Sequence, residues 1–319
     1  MKILIISLNY LGDILMTLPL HYNLKKNDPD LEIAVSIGYR GAVLKNIIKN
    51  VDKWIIRKNN INIINKLKNL KEVKNFNPDI TIIIDDSKFS HKLAKYSSSK
   101  RVIGFNKSKI KNFKIDKINY EYQKNKHLVS RMVKILEYLD IKDYEYKVFF
   151  EDIECDIDYN DYIVFLPGTT RKSKLWKIDY WVELGKRLKR KFNKQIILMG
   201  AKSDAYISKK FSSAGYDYVD LIGKTNIKEL YCYLKNSDIV ISVDNGGMHL
   251  SDYLNNSTIA LFGSTDYRKV GPRGENSYIL EADFNCLHCE KSECKNDKYC
   301  LNIIKPEDIL SIIDDNRLL

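Results

Sequence analysis

The chain has 319 residues, 44% of them hydrophobic and 29% charged, and a formal net charge of +12. That length exceeds one ordinary core and points to two domains, while the composition excludes a disordered chain. No apolar run approaches the roughly 18 residues of a membrane-spanning helix. The lysines are spread along the chain rather than gathered in a tail. The charge reflects either compositional drift or an acidic partner, such as an anionic membrane surface or a phosphorylated substrate, and the spread weakens a nucleic-acid reading.

The first twenty residues, MKILIISLNYLGDILMTLPL, have a Lys and an apolar run like a signal peptide. Asp13 interrupts the run and no small-x-small cleavage site follows, so the stretch reads as strand, loop and helix of a cytoplasmic protein. The helix is expected to run on from Asp13 with a kink at Pro19. Further buried strands are predicted at 32–38, 79–85, 162–168, 195–200, 238–244 and 258–263, from short β-branched runs. Helices are predicted among others at 179–192, 203–213 and 226–236. This alternation means βαβ units and parallel sheets in both halves. The acidic stretch 141–161 lacks a helical repeat, which sets the domain boundary near residue 155. The expected architecture is α/β, with two Rossmann-like domains, 1–155 and 156–319, facing a cleft.

Ligands of such sheets bind beyond the C-terminal ends of the strands. Five loops fall there: 9–13, 167–176, 200–204, 244–249 and 263–274. In PGTTRKSKLW, Thr169 and Thr170 bring hydroxyls and Lys174 a movable positive charge, a set suited to a diphosphate at a helix N-terminus. A plain Ser/Thr turn with solvated lysines is the alternative. In DNGGMH, Gly246 and Gly247 allow close backbone approach to an anion, and His249 follows one turn later. Asp244 and Asn245 also suit simple helix capping. Asp13 is either a helix cap or a carboxylate able to take a proton from a sugar hydroxyl. Neither a Walker loop nor GxGxxG occurs in the chain.

CLHCEKSECKNDKYC holds Cys286, Cys289, Cys294 and Cys300, spaced C-x2-C-x4-C-x5-C. Four thiolates so close can enclose one structural Zn or Fe, or remain reduced without metal. Cys155 and Cys232 are isolated in sequence, and disulfides are not expected in the cytoplasm. A metal-bearing nucleic-acid-binding protein would account for this cluster and for the charge, but it leaves the five loops unexplained.

Taken together, KILIISLNYLGDILMTLPL, PGTTRKSKLW, SVDNGGMHL with LFGSTDYRKVGP, and the Cys cluster resemble glycosyltransferase family 9, the bacterial ADP-heptose:lipopolysaccharide heptosyltransferases. The resemblance spans nearly the whole chain. It implies the GT-B fold, with an N-terminal acceptor domain and a C-terminal nucleotide-sugar domain. It also implies inverting transfer of heptose from ADP-L-glycero-D-manno-heptose to a lipopolysaccharide inner-core acceptor, without a catalytic metal. By the same resemblance Asp13 is the base, and Thr169, Thr170 and Lys174 hold the diphosphate. Asp244, Asn245, Gly246, Gly247 and His249 hold phosphates and part of the sugar, and Asp204 meets the ribose. Asn245 and Gly247 stand where Thr and Pro are common, and GAKSD lacks the usual Glu. A related transferase using another nucleotide sugar or a protein acceptor is therefore the alternative. The acidic lipid acceptor implies peripheral contact with the inner membrane, and Arg57, Lys58, Arg101 and Lys107 are basic candidates for the acceptor side.

Overall fold

The computed structural model describes residues 1–58, 62–105, 115–118, 126–213, 215–294 and 299–319. The chain divides into two compact units, Met1–Asp152 and Ile153–Leu319. Lys107 lies outside the described residues.

In the first unit the strands are β1 (Lys2–Ile6), β2 (Glu32–Gly38), β3 (Lys53–Arg57), β4 (Ile80–Ile83), β5 (Arg101–Phe105) and β6 (Asp116–Ile118). They form a parallel sheet in the order β3-β2-β1-β4-β5-β6. The run Ile3–Ile6 is buried because helices cover a parallel sheet on both faces. The expected kinked helix is two helices, α1 (Leu11–Leu15) and α2 (Leu18–Asn27). The Thr17 hydroxyl donates to the Ile14 carbonyl at 2.7 Å at the break. Pro19 falls in the first turn of α2, where a missing N–H removes no helical hydrogen bond. Among the described residues the other helices are α3 (Ile63–Phe76), α4 (Lys88–Tyr96) and α5 (Leu128–Tyr138).

The second unit has β7 (Tyr162–Leu166), β8 (Gln195–Leu198), β9 (Tyr218–Asp220), β10 (Ile239–Val243), β11 (Thr258–Phe262) and β12 (Ser277–Glu281). Their order, β12-β11-β10-β7-β8-β9, repeats that of the first sheet, again wholly parallel. The helices are α6 (Ile178–Phe192), α7 (Ala205–Phe211), α8 (Ile227–Lys235), α9 (Gly246–Tyr253), α10 (Tyr267–Val270) and α11 (Pro306–Asp315). Phe165, Trp176 and Trp181 pack together in its core, tilted for Phe165–Trp181 and edge-to-face for Trp176–Trp181, with ring centroids 5.0 Å apart in both pairs. In both sheets the strand order reverses beside the first strand of the unit. Ligands of doubly wound sheets bind beyond the strand ends at such a reversal.

One sequence expectation is overturned. Cys155 and Cys232 form a disulfide, with Cα atoms 5.3 Å apart across 77 positions of sequence. The entering segment passes beside α8, a long-range proximity that spacing cannot reveal.

Candidate active site

The two reversal points gather most of the candidate residues. In the second unit, Asn245 follows β10 and caps α9, its Oδ1 accepting from the Met248 N–H at 3.0 Å. Its Nδ2 donates to the carbonyls of Leu166 (3.1 Å) and Gly168 (2.9 Å), so one side chain ties the two central loops together. Gly247 answers to packing: a Cβ there would lie 2.7 Å from Leu166 Cδ1. Its smallness lets α9 settle onto β7, beyond the ligand approach expected from sequence.

Lys174 reaches Asp244, Nζ to Oδ2 at 2.6 Å, and the Thr265 hydroxyl donates to the same oxygen at 2.6 Å. The Thr169 hydroxyl donates to the Asp244 carbonyl at 3.4 Å, whereas Thr170 is exposed. Three loops therefore meet on one buried carboxylate. That gives Asp244 the task of holding Lys174 and Thr265, since a carboxylate repels phosphate. The segment before α6 also differs from expectation. Lys174 ends a 3-10 turn at Lys172–Lys174, and α6 begins only at Ile178, so its N-terminus does not open on this loop. Trp176 pins the far end of the loop, its indole donating to the Ile304 carbonyl at 2.9 Å.

His249 is only 2% exposed, and among the described residues its Nδ1 has no hydrogen-bond partner. Burial lowers its pKa, while Asp244 and Asp252 oppose that and Lys174 adds to it. It is therefore a neutral hydrogen-bonding ring at neutral pH, not a source of charge. Asp204 accepts from the Ala201 N–H at 2.9 Å, and burial raises its pKa. A Cβ on Gly168 would meet its Oδ2 at 2.2 Å, so the 200–204 loop presses against the 167–176 loop.

The Cys-rich segment braces this site from behind. The Ser173 N–H donates to the Ser292 carbonyl at 3.1 Å, and the His288 and Glu290 N–H groups donate to the carbonyls of Gly263 (3.0 Å) and Ser264 (2.8 Å). Cys300 is buried, Cys289 and Cys294 are half-buried and Cys286 is exposed. Among the described residues no three His, Cys, Asp or Glu side chains are grouped to hold a metal ion. Burial raises the Cys300 thiol to about 11, and the other three thiols lie close enough to contribute.

In the first unit, Asp13 follows β1 within α1. It is the third helical residue behind an N-cap at Tyr10, so it is not itself the cap. A cavity of about 280 Å³ opens at the same end of the sheet, lined by residues including Tyr10, Tyr39, Arg40, Lys58, Asn65 and Lys66. Arg57 is 7% exposed and committed internally: Nη1 donates to Asp85 Oδ2 (2.8 Å) and Ser90 Oγ (2.9 Å), and Nη2 to the carbonyls of Ser7 and Leu8. It is a strut under the cavity, holding the end of β1. Arg101 starts β5 at the other end of the sheet, pairing with Asp116 at 2.7 Å and covering Tyr138. Sequence reasoning selected Arg101 on charge alone and missed Arg40, whose guanidinium lies 4.9 Å from the Tyr10 ring centre. It also missed Thr265, although GSTD follows a strand end, and the turn that Asp252 holds by accepting from the Arg273 and Gly274 N–H groups at 3.0 and 2.7 Å.

Two tandem parallel domains, each with polar loops at its reversal point, define a protein of the GT-B class. Similar proteins narrow the class. A family model described as glycosyltransferase family 9 (heptosyltransferase) matches residues 66–300. Lipopolysaccharide heptosyltransferase 1 of Campylobacter coli is 25% identical, with 99% of this chain and 98% of that protein aligned. Lipooligosaccharide heptosyltransferase 2 of Campylobacter jejuni is 26% identical, over 97% and 96% respectively. The structure of Escherichia coli ADP-heptose lipopolysaccharide heptosyltransferase II superposes with a TM-score of 0.77 at 17% identity, covering 100% of this chain and 98% of that one. The chain belongs to glycosyltransferase family 9 and is a transferase enzyme.

Proposed function

We propose that the chain transfers heptose, with inversion, from ADP-L-glycero-D-manno-heptose to an acidic inner-core acceptor of lipopolysaccharide. The observation that carries this reading is the meeting of Lys174, Asp244, Thr265 and Asn245 at the start of α9. One cation and a helix N-terminus there suit the diphosphate of a nucleotide sugar. The acceptor oxygen attacks the anomeric carbon, the bond from that carbon to the diphosphate oxygen breaks, and ADP leaves. Asp13 takes the acceptor proton. Lys174 and the α9 amides receive the charge that grows on the leaving group, a role that needs no divalent ion. Neutral His249 adds one hydrogen bond, and Asp204 accepts from ribose hydroxyls.

Both aligned relatives act in lipopolysaccharide or lipooligosaccharide assembly, one as type 1 and one as type 2. That supports an inner-core acceptor, whose anionic groups suit Arg40, Lys58 and Lys66 around the first-unit cavity. No helix among the described residues is long and apolar enough to cross a membrane. Peripheral contact with an anionic membrane surface fits the charge of +12. The C-x2-C-x4-C-x5-C spacing, rather than any grouping among the described residues, suits one structural Zn or Fe held by Cys286, Cys289, Cys294 and Cys300. Such an ion would fix the brace and take no part in transfer.

A thermal-shift panel tests the donor. ADP and ADP-heptose should stabilise the chain, while adenosine, UDP and UDP-sugars should do so far less. Preference for a UDP-sugar would replace the donor and favour a related transferase of the same fold.

A further inference from the structure

The N-terminal half of α3 is built unlike the other helices among the described residues. Ile63, Ile64 and Leu67 are 75%, 73% and 58% exposed, within five residues. The helix is nonetheless firmly started, the Asn62 side chain accepting from the Asn65 N–H at 2.8 Å. Its inner stripe, Leu70, Val73 and Phe76, is buried in the core of the first unit. At about 100° per residue, the outward stripe continues from Ile63, Ile64 and Leu67 through Lys71 and Lys74, with Lys68 on its flank. All three lysines are exposed. A single exposed aliphatic residue is ordinary. Three on one face, bordered by a row of lysines, match a helix that lies in a membrane interface.

The position adds a second argument. Asn65, Lys66 and Asn69, on another side of the same helix, line the first-unit cavity together with the exposed rings of Tyr10 and Tyr39. One helix thus presents polar groups to the cavity and aliphatic groups with lysines to the outside. We infer that the outward face of α3 docks on an anionic lipid bilayer, burying Ile63, Ile64 and Leu67 among the acyl chains while Lys68, Lys71 and Lys74 meet the headgroups. The sugar end of a lipid-linked acceptor would then enter the cavity without leaving the bilayer, a consequence that rests on the acceptor reading above. The lysine row selects the occupant: acidic headgroups complement it, whereas a second copy of the same face would set lysines against lysines.

Co-sedimentation of the full chain with vesicles tests this. Vesicles of equal parts phosphatidylcholine and phosphatidylglycerol should bind it about tenfold more tightly than phosphatidylcholine alone, with the difference shrinking as salt rises. The triple change Ile63→Ser, Ile64→Ser, Leu67→Ser should remove at least about tenfold of that affinity. Lys68→Glu, Lys71→Glu, Lys74→Glu should abolish the preference for the anionic vesicles. Thermal unfolding and ADP affinity should be unchanged in both variants, which separates this proposal from the transferase reading. Equal vesicle binding by wild type and the serine variant would overturn it. So would a dimer in analytical ultracentrifugation that the serine changes dissociate.

Discussion

Asp13 and Lys174 carry opposite halves of the proposed reaction, and their settings give separate predictions. Asp13→Asn keeps the shape of α1 and removes only the base. Turnover should fall roughly 10²–10⁴-fold with ADP affinity unchanged in calorimetry. If the carboxylate merely favours the positive end of the helix, turnover will survive the change. Lys174→Ala should weaken ADP by about 1.5–3 kcal/mol and adenosine hardly at all, because the lost contact is to charge. It should also strand Asp244, so Lys174→Ala with Asp244→Asn should cost less than the two single losses added, as a double-mutant cycle would show. His21 supplies a pH prediction away from the site. Burial holds its pKa down to about 4, well below the ordinary imidazole value of about 6.5. A base depressed in this way stabilises the fold fully above about pH 6.5, and the contribution drains away as pH falls toward 4. The loss from this one group should reach roughly 3 kcal/mol. Urea unfolding of His21→Leu should show a flatter decline over that window than wild type. Equal slopes would mean that the ring already finds a protonated partner.

Asn245 shows how much a loop-to-helix junction can hold. It caps α9 and bridges to two carbonyls after β7, so Asn245→Ala should lower unfolding stability by about 1–3 kcal/mol. Asn245→Asp keeps the cap but turns a donor into an acceptor facing carbonyls, and ADP binding should fall more than stability does. In sequence Asn245 reads as a cap and, by the family resemblance, as a phosphate and sugar contact; its bridge was hidden because the partners lie 77 and 79 positions away. The same limit explains the β3, β5, β6, β9 and β12 strands that the periodicity did not single out. Lys53–Arg57 and Ser277–Glu281 mix polar and apolar residues because they lie at sheet edges, where burial is partial. The Cys-rich element gives its own test. Protein purified without chelator should carry about one Zn or Fe per chain, and Cys289→Ser should lower stability before it lowers turnover. Four titratable thiols with no metal would leave the segment as a brace made of backbone hydrogen bonds alone.

At the scale of the molecule, the strand-end loops were legible because chemistry-bearing residues gather there in any doubly wound sheet, whereas the reversal points needed the strand order. Gly, Asp, Thr and Lys marked the loops at 9–13, 167–176 and 244–249 before any coordinates. The disulfide between Cys155 and Cys232, the internal role of Arg57 and the brace behind the phosphate loop were not legible, because each depends on residues brought together only by folding. The repeated strand order assigns a reversal point to each unit, and the proposed division of labour follows: base and acceptor in the first, donor in the second. The most direct measurement is transfer itself. The chain is incubated with ADP-L-glycero-D-manno-heptose and a Kdo-bearing lipid acceptor, with and without a first heptose, while ADP release and acceptor mass are followed. One ADP should be released for each heptose gained by one of the two acceptors, with the anomeric configuration inverted, and Asp13→Asn should nearly abolish both signals. Release of no ADP with either acceptor, or transfer that persists undiminished in Asp13→Asn, would contradict the account.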